Sequence, residues 1–377
     1  MDRKQYSNLM ELFAALPDPR QARGKRHSWA LILTLIGAAL VSGEQGLRAI
    51  SQWVAERREE LCEALHPPRR RLPSDSTLRR ALRELDVVDL EARAAALVRA
   101  LPASEAAPGP VGLAMDGKQV NGANAHGARV HLLSLVRHDD ARVIRQREVA
   151  AKSNEIPAAP PLLAGVDLRG AVVTMDALLA QRAIAAQIRR QRGHYLMVVK
   201  ENQPTLHAAI DLLFAGGCPA LPTDHAARHT TTERGHGRVE TRTLERTAAL
   251  NGYLDWPDLG QVLRRTCHAV SRKTGAVRQE THYGLTSLPA AATTPAEIER
   301  LWRGHWTIEN RVHYVRDVTF GEDAGQAWVG NTPHALAALR NLLLATLRAA
   351  GWANIADALR HYGAYAHRAL ALLGTPP

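Results

Sequence analysis

Cysteine is nearly missing from this chain: Cys62, Cys218 and Cys267 are the only three in 377 residues, odd in number and far apart. No CxxC pair occurs, which excludes a redox couple or a cysteine-held zinc and fits a reduced, cytosolic compartment. Long apolar runs are missing too. The longest, Trp29 to Val41, is interrupted by Thr34 and Gly37 and falls short of the roughly 20 residues needed to cross a bilayer. No membrane span is expected, and the opening MDRKQYSN does not read as a secretory leader. There is no GxGxxG after the first apolar strand, which weakens a dinucleotide-binding reading. Lysine is scarce as well, six of the 48 basic residues.

What the chain does hold is apolar mass. Hydrophobic residues make up 46% and charged residues 23%, so a sizeable core forms and disorder is not the theme. The length implies two or three structural units. Subtracting 37 acids from 48 bases leaves +11, with a pI near 10.0. That field favours a polyanionic partner, nucleic acid first, with a merely basic enzyme as the plain alternative. Up to Ala100 there are 17 bases and 13 acids, or +4, leaving +7 for the remainder; the charge is spread and not parked on a tail.

Residues 1–105 read as a helical unit. It has an apolar helix at Trp29 to Val41, a helix from Gly46 to Leu65, and a third after PSDST that Ser74 or Asp75 can cap. The loop HPPRRRLP between the second and third is basic, and LPASEAAPGP breaks the chain near Pro110. Then the period changes. VGLAMD (111–116), VHLLSLV (130–136) and ARVIRQREVA (141–150) read as three strands. A short helix near Pro160, a strand AVVTMD (171–176), a helix from Leu179 to Arg192 and a strand YLMVVK (195–200) follow. Meandering strands followed by alternating helix and strand predict an α/β fold with a ribonuclease-H-like mixed sheet, over 106–204 and 290–350. Residues 205–289 read as a looser, mainly β insertion. Helical periodicity returns at 295–318 and at 334–350, with a helical tail over 351–377.

Asp116 and Asp176 each close an apolar run. A carboxylate at the end of a buried strand faces the carboxyl edge of the sheet, where open α/β sheets place their ligands; each alone reads equally well as a turn or cap residue. In the 295–318 segment, steps of four align His305, Glu309 and His313 on one helix face, with Trp302 and Arg316 about a turn beyond on either side. Glu309 beside two strand-end aspartates completes a three-carboxylate site. Hard oxygen ligands suit Mg²⁺ or Mn²⁺ and not zinc. Two such ions can activate a water or a 3′-hydroxyl and stabilise the leaving oxygen in an in-line attack on phosphorus. The competing readings of that helix are a His–Glu–His metal face, which lacks the HExxH spacing, and plain packing with Glu309 paired to Arg311 or Arg316.

The polar candidates for gripping DNA are Lys118, Lys152 and Lys200, three of the six lysines, whose point charge near a phosphate differs from an arginine fork. His236, Arg238 and Arg242, with Arg234, form a basic edge on the insertion. Asn202 and Gln203 either contact DNA or form a turn before Pro204.

The succession AMDGKQV, KSNEIP, VVTMDA, YLMVVKENQPTL, ERGHGRVETR and RGHWTIENRVHYVRDVTFGEDA resembles the DDE transposases of bacterial insertion sequences, in particular the ISAs group that includes the H-repeat-associated proteins. The resemblance runs from about Leu12 to Arg348, and DPRQARGKRHSWALILTLIGAALVSGEQGLRAISQW with LPSDSTLRRAL is similar to that group's associated N-terminal domain. It implies a metal-dependent phosphoryl-transfer enzyme of the bacterial cytosol, at the nucleoid. Such an enzyme binds the terminal inverted repeats of its element, cuts there and joins the ends to target DNA. It also implies a triad at Asp116, Asp176 and Glu309, with two Mg²⁺ or Mn²⁺ ions. Related proteins carry Tyr-x2-Arg-x3-Glu-x6-Lys, where this chain has Trp302, His305, Glu309 and Arg316; Glu322 and Asp323 are backup carboxylates. The alternatives are a non-catalytic DNA-binding remnant and a metal-dependent nuclease without strand transfer. Joining two ends needs two active sites, hence a homodimer on DNA. The C-terminal helix face of Leu336, Leu339, Leu343 and Leu347 either forms that contact or packs on its own domain.

Overall fold

A computed structural model describes residues 8–23, 25–101, 109–120, 130–151, 153–216, 227–235, 237–325, 327 and 329–375. Six helices come first: α1 (Asn8–Ala15), α2 (Trp29–Val41), α3 (Leu47–Glu56), α4 (Arg58–Leu65), α5 (Asp75–Glu84) and α6 (Val87–Ala100). In α2 every residue except Ala30 is buried, as befits a helix that is apolar all round. Ser28 caps it, its hydroxyl accepting from the Leu31 N–H at 3.2 Å. The helix expected over 46–65 breaks at Arg57 into α3 and α4.

The sheet follows, as β1 (Val111–Val120), β2 (Val130–Arg137), β3 (Val143–Glu148), helix α7 (Ala159–Leu163), β4 (Ala171–Met175), α8 (Arg182–Arg190), β5 (His194–Val199) and α9 (Pro204–Phe214). Next come β6 (Ala227–Gly235), β7 (Arg238–Thr247), β8 (Gln261–Ser271) and β9 (Val277–Thr286). The nine strands form one mixed sheet in the order β3-β2-β1-β4-β5-β9-β8-β7-β6. β1, β4 and β5 run parallel, while β2 and β3 on one side and β9 to β6 on the other pair antiparallel. The segment read as loose strand-like pieces is therefore four long strands that extend the same sheet through the β5–β9 pairing. Polar Thr and Arg residues, as in RVETRTLERT, conceal strands that are held along much of their length by pairing with their neighbours, with apolar anchors such as Leu244, Leu263 and Leu285 buried near the β5 side.

Strand parity decides which side chains meet. Leu113, Met115, Val173 and Met175 pack on one face with α7, α8 and α9. Ala114, with Val136 and Val143, packs on the other face, continuous with the core of the N-terminal helices and of α11 (Thr332–Ala349), α12 (Ile355–Gly363) and α13 (Ala366–Leu372). On that second face α10 (Pro295–Gly304) lies over Val172, Leu196, Leu244 and Leu263. Leu336, Leu339, Leu343 and Leu347 are 2%, 0%, 0% and 0% exposed; they face their own core and leave no contact for a second copy there. Among the described residues no helix is long and apolar enough to cross a membrane.

The helix expected over 295–318 is not continuous. After α10 the chain runs through two wide π-helical turns, Glu309–His313 and Val315–Thr319, closed by the Tyr314 N–H on the Glu309 carbonyl and the Phe320 N–H on the Val315 carbonyl. Such turns are uncommon and recur at functional sites.

Candidate active site

β1 and β4 lie side by side in register, Met115 opposite Met175, so the residues that follow each, Asp116 and Asp176, are neighbours. Both fall on the parity of Ala114 and Val172, the face that the π-helical segment crosses. Asp176 follows the last residue of β4, as expected, and its Oδ1 accepts from the Leu179 N–H at 3.2 Å. Asp116 does not end its strand: β1 continues to Val120 because β2 pairs with Gly117, Lys118, Gln119 and Val120. The backbone beyond Asp116 is thus held by the ladder and not by a turn.

Asp116, Asp176 and Glu309 line one cavity of about 220 Å³ together with Lys200, His305 and Trp306. The Asp116 and Glu309 carboxyls share a hydrogen bond, and Asp116 is pushed up to about 8 by burial and then by the charges of Glu309, Glu155 and Asp176. Both carboxyls cannot ionise side by side without a cation. His313 Nδ1 lies 3.7 Å from Asp116 Oδ2 and 4.0 Å from Glu309 Oε2; burial, then Arg316 and Lys118, push its ring down to about 3. Asp116, Glu309 and His313 each offer one ligand atom within 4.8 Å of the others.

His305 stands in the cavity wall. Its Nδ1 is 3.1 Å from Thr174 Oγ1, which lies 3.1 Å from His138 Nε2 on the other side. In this string His138 and Thr174 are buried and His305 is half-buried, and desolvation lowers both rings, His138 to about 3. His138 itself fits a slot made by two glycines: a Cβ on Gly112 or on Gly304 would come within 2.1 Å of its Nδ1.

The basic candidates separate clearly. Lys200 is exposed and lines both this cavity and the adjoining groove that contains Asn202 and His282. Lys118 is 8% exposed and its ammonium is held 2.5 Å from Asp317. Arg316, expected to face DNA, is 0% exposed: its guanidinium donates to both oxygens of Glu322, at 3.0 and 2.5 Å, and Glu322 also accepts from Arg340 at 3.2 Å. Fully buried in this way, Arg316 presents no surface to DNA, and the same network places Glu322 inside the core. Asp323 lies 4.0 Å from Lys118. Asn202 and Gln203 donate to the carbonyls of Ala177 and Ala180, at 2.8 and 3.0 Å, tying the turn after β5 to the loop after β4. Arg242 is clamped between Glu233 and Glu240, and Arg238 pairs with Glu240, so that edge is largely self-neutralised. Lys152 and His236 lie outside the described residues. Trp302 is 4% exposed, with the Arg265 guanidinium over its ring.

Two residues without a sequence-based role stand beside the carboxylates. Glu155, in the KSNEIP stretch, accepts from or donates to His131 Nε2 at 3.0 Å. Burial raises its pKa first, and Asp176 adds to the rise. It covers Gly117, where a Cβ would fall 1.9 Å from Glu155 Oε1. The only local signal was its place in a motif; nothing within a few residues indicates that it folds over Asp116.

Comparison with known proteins accords with this geometry. Residues 107–339 match the family described as transposase DDE domain, and residues 10–98 match the family described as DDE_Tnp_1-associated. The chain is 28% identical over 349 residues to the "Putative transposase YncI" of Escherichia coli O157:H7, covering 90% of this chain and 87% of that one. It is 26% identical over 346 residues to the "H repeat-associated putative transposase YhhI" of E. coli K12, covering 90% of each. An uncharacterized protein in the dhlA 3′ region of Xanthobacter autotrophicus is 32% identical over 258 residues, covering 66% of this chain and 82% of that one.

Proposed function

The chain belongs to the DDE transposase family, whose domain spans residues 107–339, and on that premise we propose that it cuts DNA at the ends of a mobile element and joins those ends to target DNA. The observation that carries this reading is the meeting of Asp116, Asp176 and Glu309 in one cavity, with the Asp116 carboxyl pushed up to about 8 by burial and then by the charges of its neighbours. Crowded carboxyls of this kind fit a divalent cation, which removes the repulsion. Asp116, Asp176 and Glu309 would hold two ions of the Mg²⁺ or Mn²⁺ type. When bound, such ions supply charge for activating an oxygen nucleophile and for steadying the leaving oxygen.

The chain's own groups do the rest. Asp116 neighbours Asp176 across the β1–β4 pair and clusters with Glu309, so it would contribute to holding either ion. In cleavage a water oxygen bonds to phosphorus as the bond to the 3′-oxygen breaks; in joining, that freed 3′-hydroxyl attacks a phosphate of the target and a target 3′-oxygen leaves. Lys200, exposed on the rim, meets phosphate, and Trp306, 56% exposed, offers a ring on which an unpaired base can stack. The strand order β3-β2-β1-β4-β5 supports a ribonuclease-H-like catalytic unit over 106–204 and 290–350, with 205–289 inserted, 1–105 as a DNA-reading unit and 351–377 as a tail. Two copies act on a pair of ends, in the bacterial cytosol.

The test is a cleavage and joining assay on a terminal-repeat duplex. Asp116→Asn, Asp176→Asn and Glu309→Gln each abolish metal-dependent cleavage while keeping end binding. Full activity in any one removes that residue from the triad, and cleavage without joining in the wild type reduces the reading to a nuclease.

A further inference from the structure

The carboxylate reading leaves one buried group unaccounted for. His313 is 5% exposed, and its Nε2 is buried with no hydrogen-bond partner among the described residues. A histidine buried for packing normally has its ring nitrogens satisfied. Its other nitrogen, Nδ1, is aimed between Asp116 and Glu309, at 3.7 and 4.0 Å. Those distances exceed the roughly 3.2 Å limit of an N–H···O bond. They are the separations expected of donor atoms that share an ion. With bonds of about 2.0–2.2 Å, ligand atoms around a small divalent cation stand roughly 3–4.4 Å apart.

The neighbouring cations do not fill that gap. Lys118 is held by Asp317 and Arg316 by Glu322. The backbone also has an unusual form here: Glu309 and His313 are the first and last residues of the π-helical turn. His305, by contrast, turns its Nδ1 to Thr174 and is not one of the three residues whose ligand atoms cluster. The helix therefore offers Glu309 and His313, and β1 offers Asp116.

We propose that His313 Nδ1, with the carboxylates of Asp116 and Glu309, is a ligand of one divalent ion in this site, and that the nitrogen makes this position select Mn²⁺ over Mg²⁺. The inference rests on the metal-dependent reading above and adds to it a ligand and a metal preference. Imidazole binds Mn²⁺ more readily than Mg²⁺, which keeps to oxygen donors. A second ion, where Asp116 and Asp176 would hold it, would be met first by hard oxygen ligands, because the His305 Nδ1 is engaged by Thr174.

The test uses the full-length protein with Mn²⁺ alone, read by electron paramagnetic resonance. Free Mn²⁺ is counted from its aqueous signal, and a bound nitrogen is detected by electron spin echo modulation from ¹⁴N. The expected result is directly bound ¹⁴N in the wild type, altered on selective [¹⁵N]histidine labelling, lost in His313→Gln and kept in His305→Gln. Mn²⁺ affinity at that position falls at least about tenfold in His313→Gln, whereas Mg²⁺ affinity, measured by competition, falls less. Where His313→Gln does not fold, a histidine-derived signal in the labelled wild type that persists in His305→Gln leaves His313 as the histidine whose nitrogen lies beside Asp116 and Glu309, and a signal lost in His305→Gln overturns the assignment. Mn²⁺ bound without nitrogen modulation, or modulation that survives in folded His313→Gln, overturns the histidine ligand and leaves the carboxylate site standing. Wild-type protein that binds no Mn²⁺, and matches Asp116→Asn in this, overturns both.

Discussion

Replacing Asp116 by asparagine should make the metal-free protein more stable, and increasingly so as the pH rises from 5 to 8. The folded carboxyl is pushed up to about 8 from 3.8, so between those values the folded state holds a proton that the unfolded chain has released. Relative to the unfolded chain, the group costs nothing below pH 4. The penalty grows as the pH rises, and it is complete once the pH passes about 8. At about 1.4 kcal/mol per unit, the penalty is roughly 2 kcal/mol at pH 5 and roughly 4 kcal/mol at pH 7. Asparagine keeps a donor for Glu309 and never ionises. Unfolding entropy of about 2.1 cal/mol/K per residue makes 1 kcal/mol worth a little over 1 °C in a chain of this length. Calorimetry in EDTA should thus show Asp116→Asn melting about 2–3 °C above wild type at pH 5 and about 5 °C above it at pH 7, levelling off beyond pH 8. His334 also titrates, but it is common to both proteins and cancels in the difference; Glu155, whose charge acts on Asp116, does not cancel, and relief of that repulsion in the variant adds in the same direction. Excess Mn²⁺ should raise the wild type and flatten its pH dependence. A gap that does not change with pH, or a variant less stable than wild type at pH 8, would refute the burial and crowding of the Asp116 carboxyl on which the metal reading draws.

Three further outcomes follow from named contacts. Arg316→Ala leaves Glu322 buried with Arg340 as its remaining partner and should lose about 3–5 kcal/mol in urea unfolding, while the salt dependence of DNA binding stays as in wild type. Gly117→Ala sets a methyl 1.9 Å from Glu155 Oε1 and should cost about 1–3 kcal/mol; Gly235→Ala, with nothing within 4 Å of the added atom, is the control and should differ little. DNA affinity should fall with a slope of about 0.9 log unit per phosphate neutralised. Lys200→Ala should reduce that slope by roughly one contact, and Arg242→Ala, already clamped by Glu233 and Glu240, should leave it unchanged; titrations at several salt concentrations decide between them.

Much of the fold was legible because it is written in local period. The largely apolar stretch Trp29 to Val41 reads as a buried helix, and β2, β4 and β5 lie within a residue or two of their expected bounds. The carboxylates stood out because each of two aspartates follows an apolar run, which strand geometry turns toward one edge. The four strands of the 227–286 region were harder to see, since their Thr- and Arg-rich faces carry little alternation and their register comes from neighbours.

What the sequence by itself determined is which side chains share a face within each strand: parity puts Asp116 with Ala114 and Asp176 with Thr174, and the β1–β4 register, Met115 opposite Met175, then sets both on one side of the sheet. Tertiary structure alone decided the rest of the site. β2 holds β1 straight past Asp116, where DGK reads locally as a turn. The segment after α10 opens into π-helical turns at Glu309, where the sequence period continues a helix. Arg316 goes inside because Glu322 and Arg340 are already there, and Glu155 folds over Gly117 from 38 residues away. A local rule assigns a charge to solvent and a Gly to a turn, because within one or two turns of chain it sees no partner. The partners that reverse those assignments meet only when the sheet and its covering helices close over the same face.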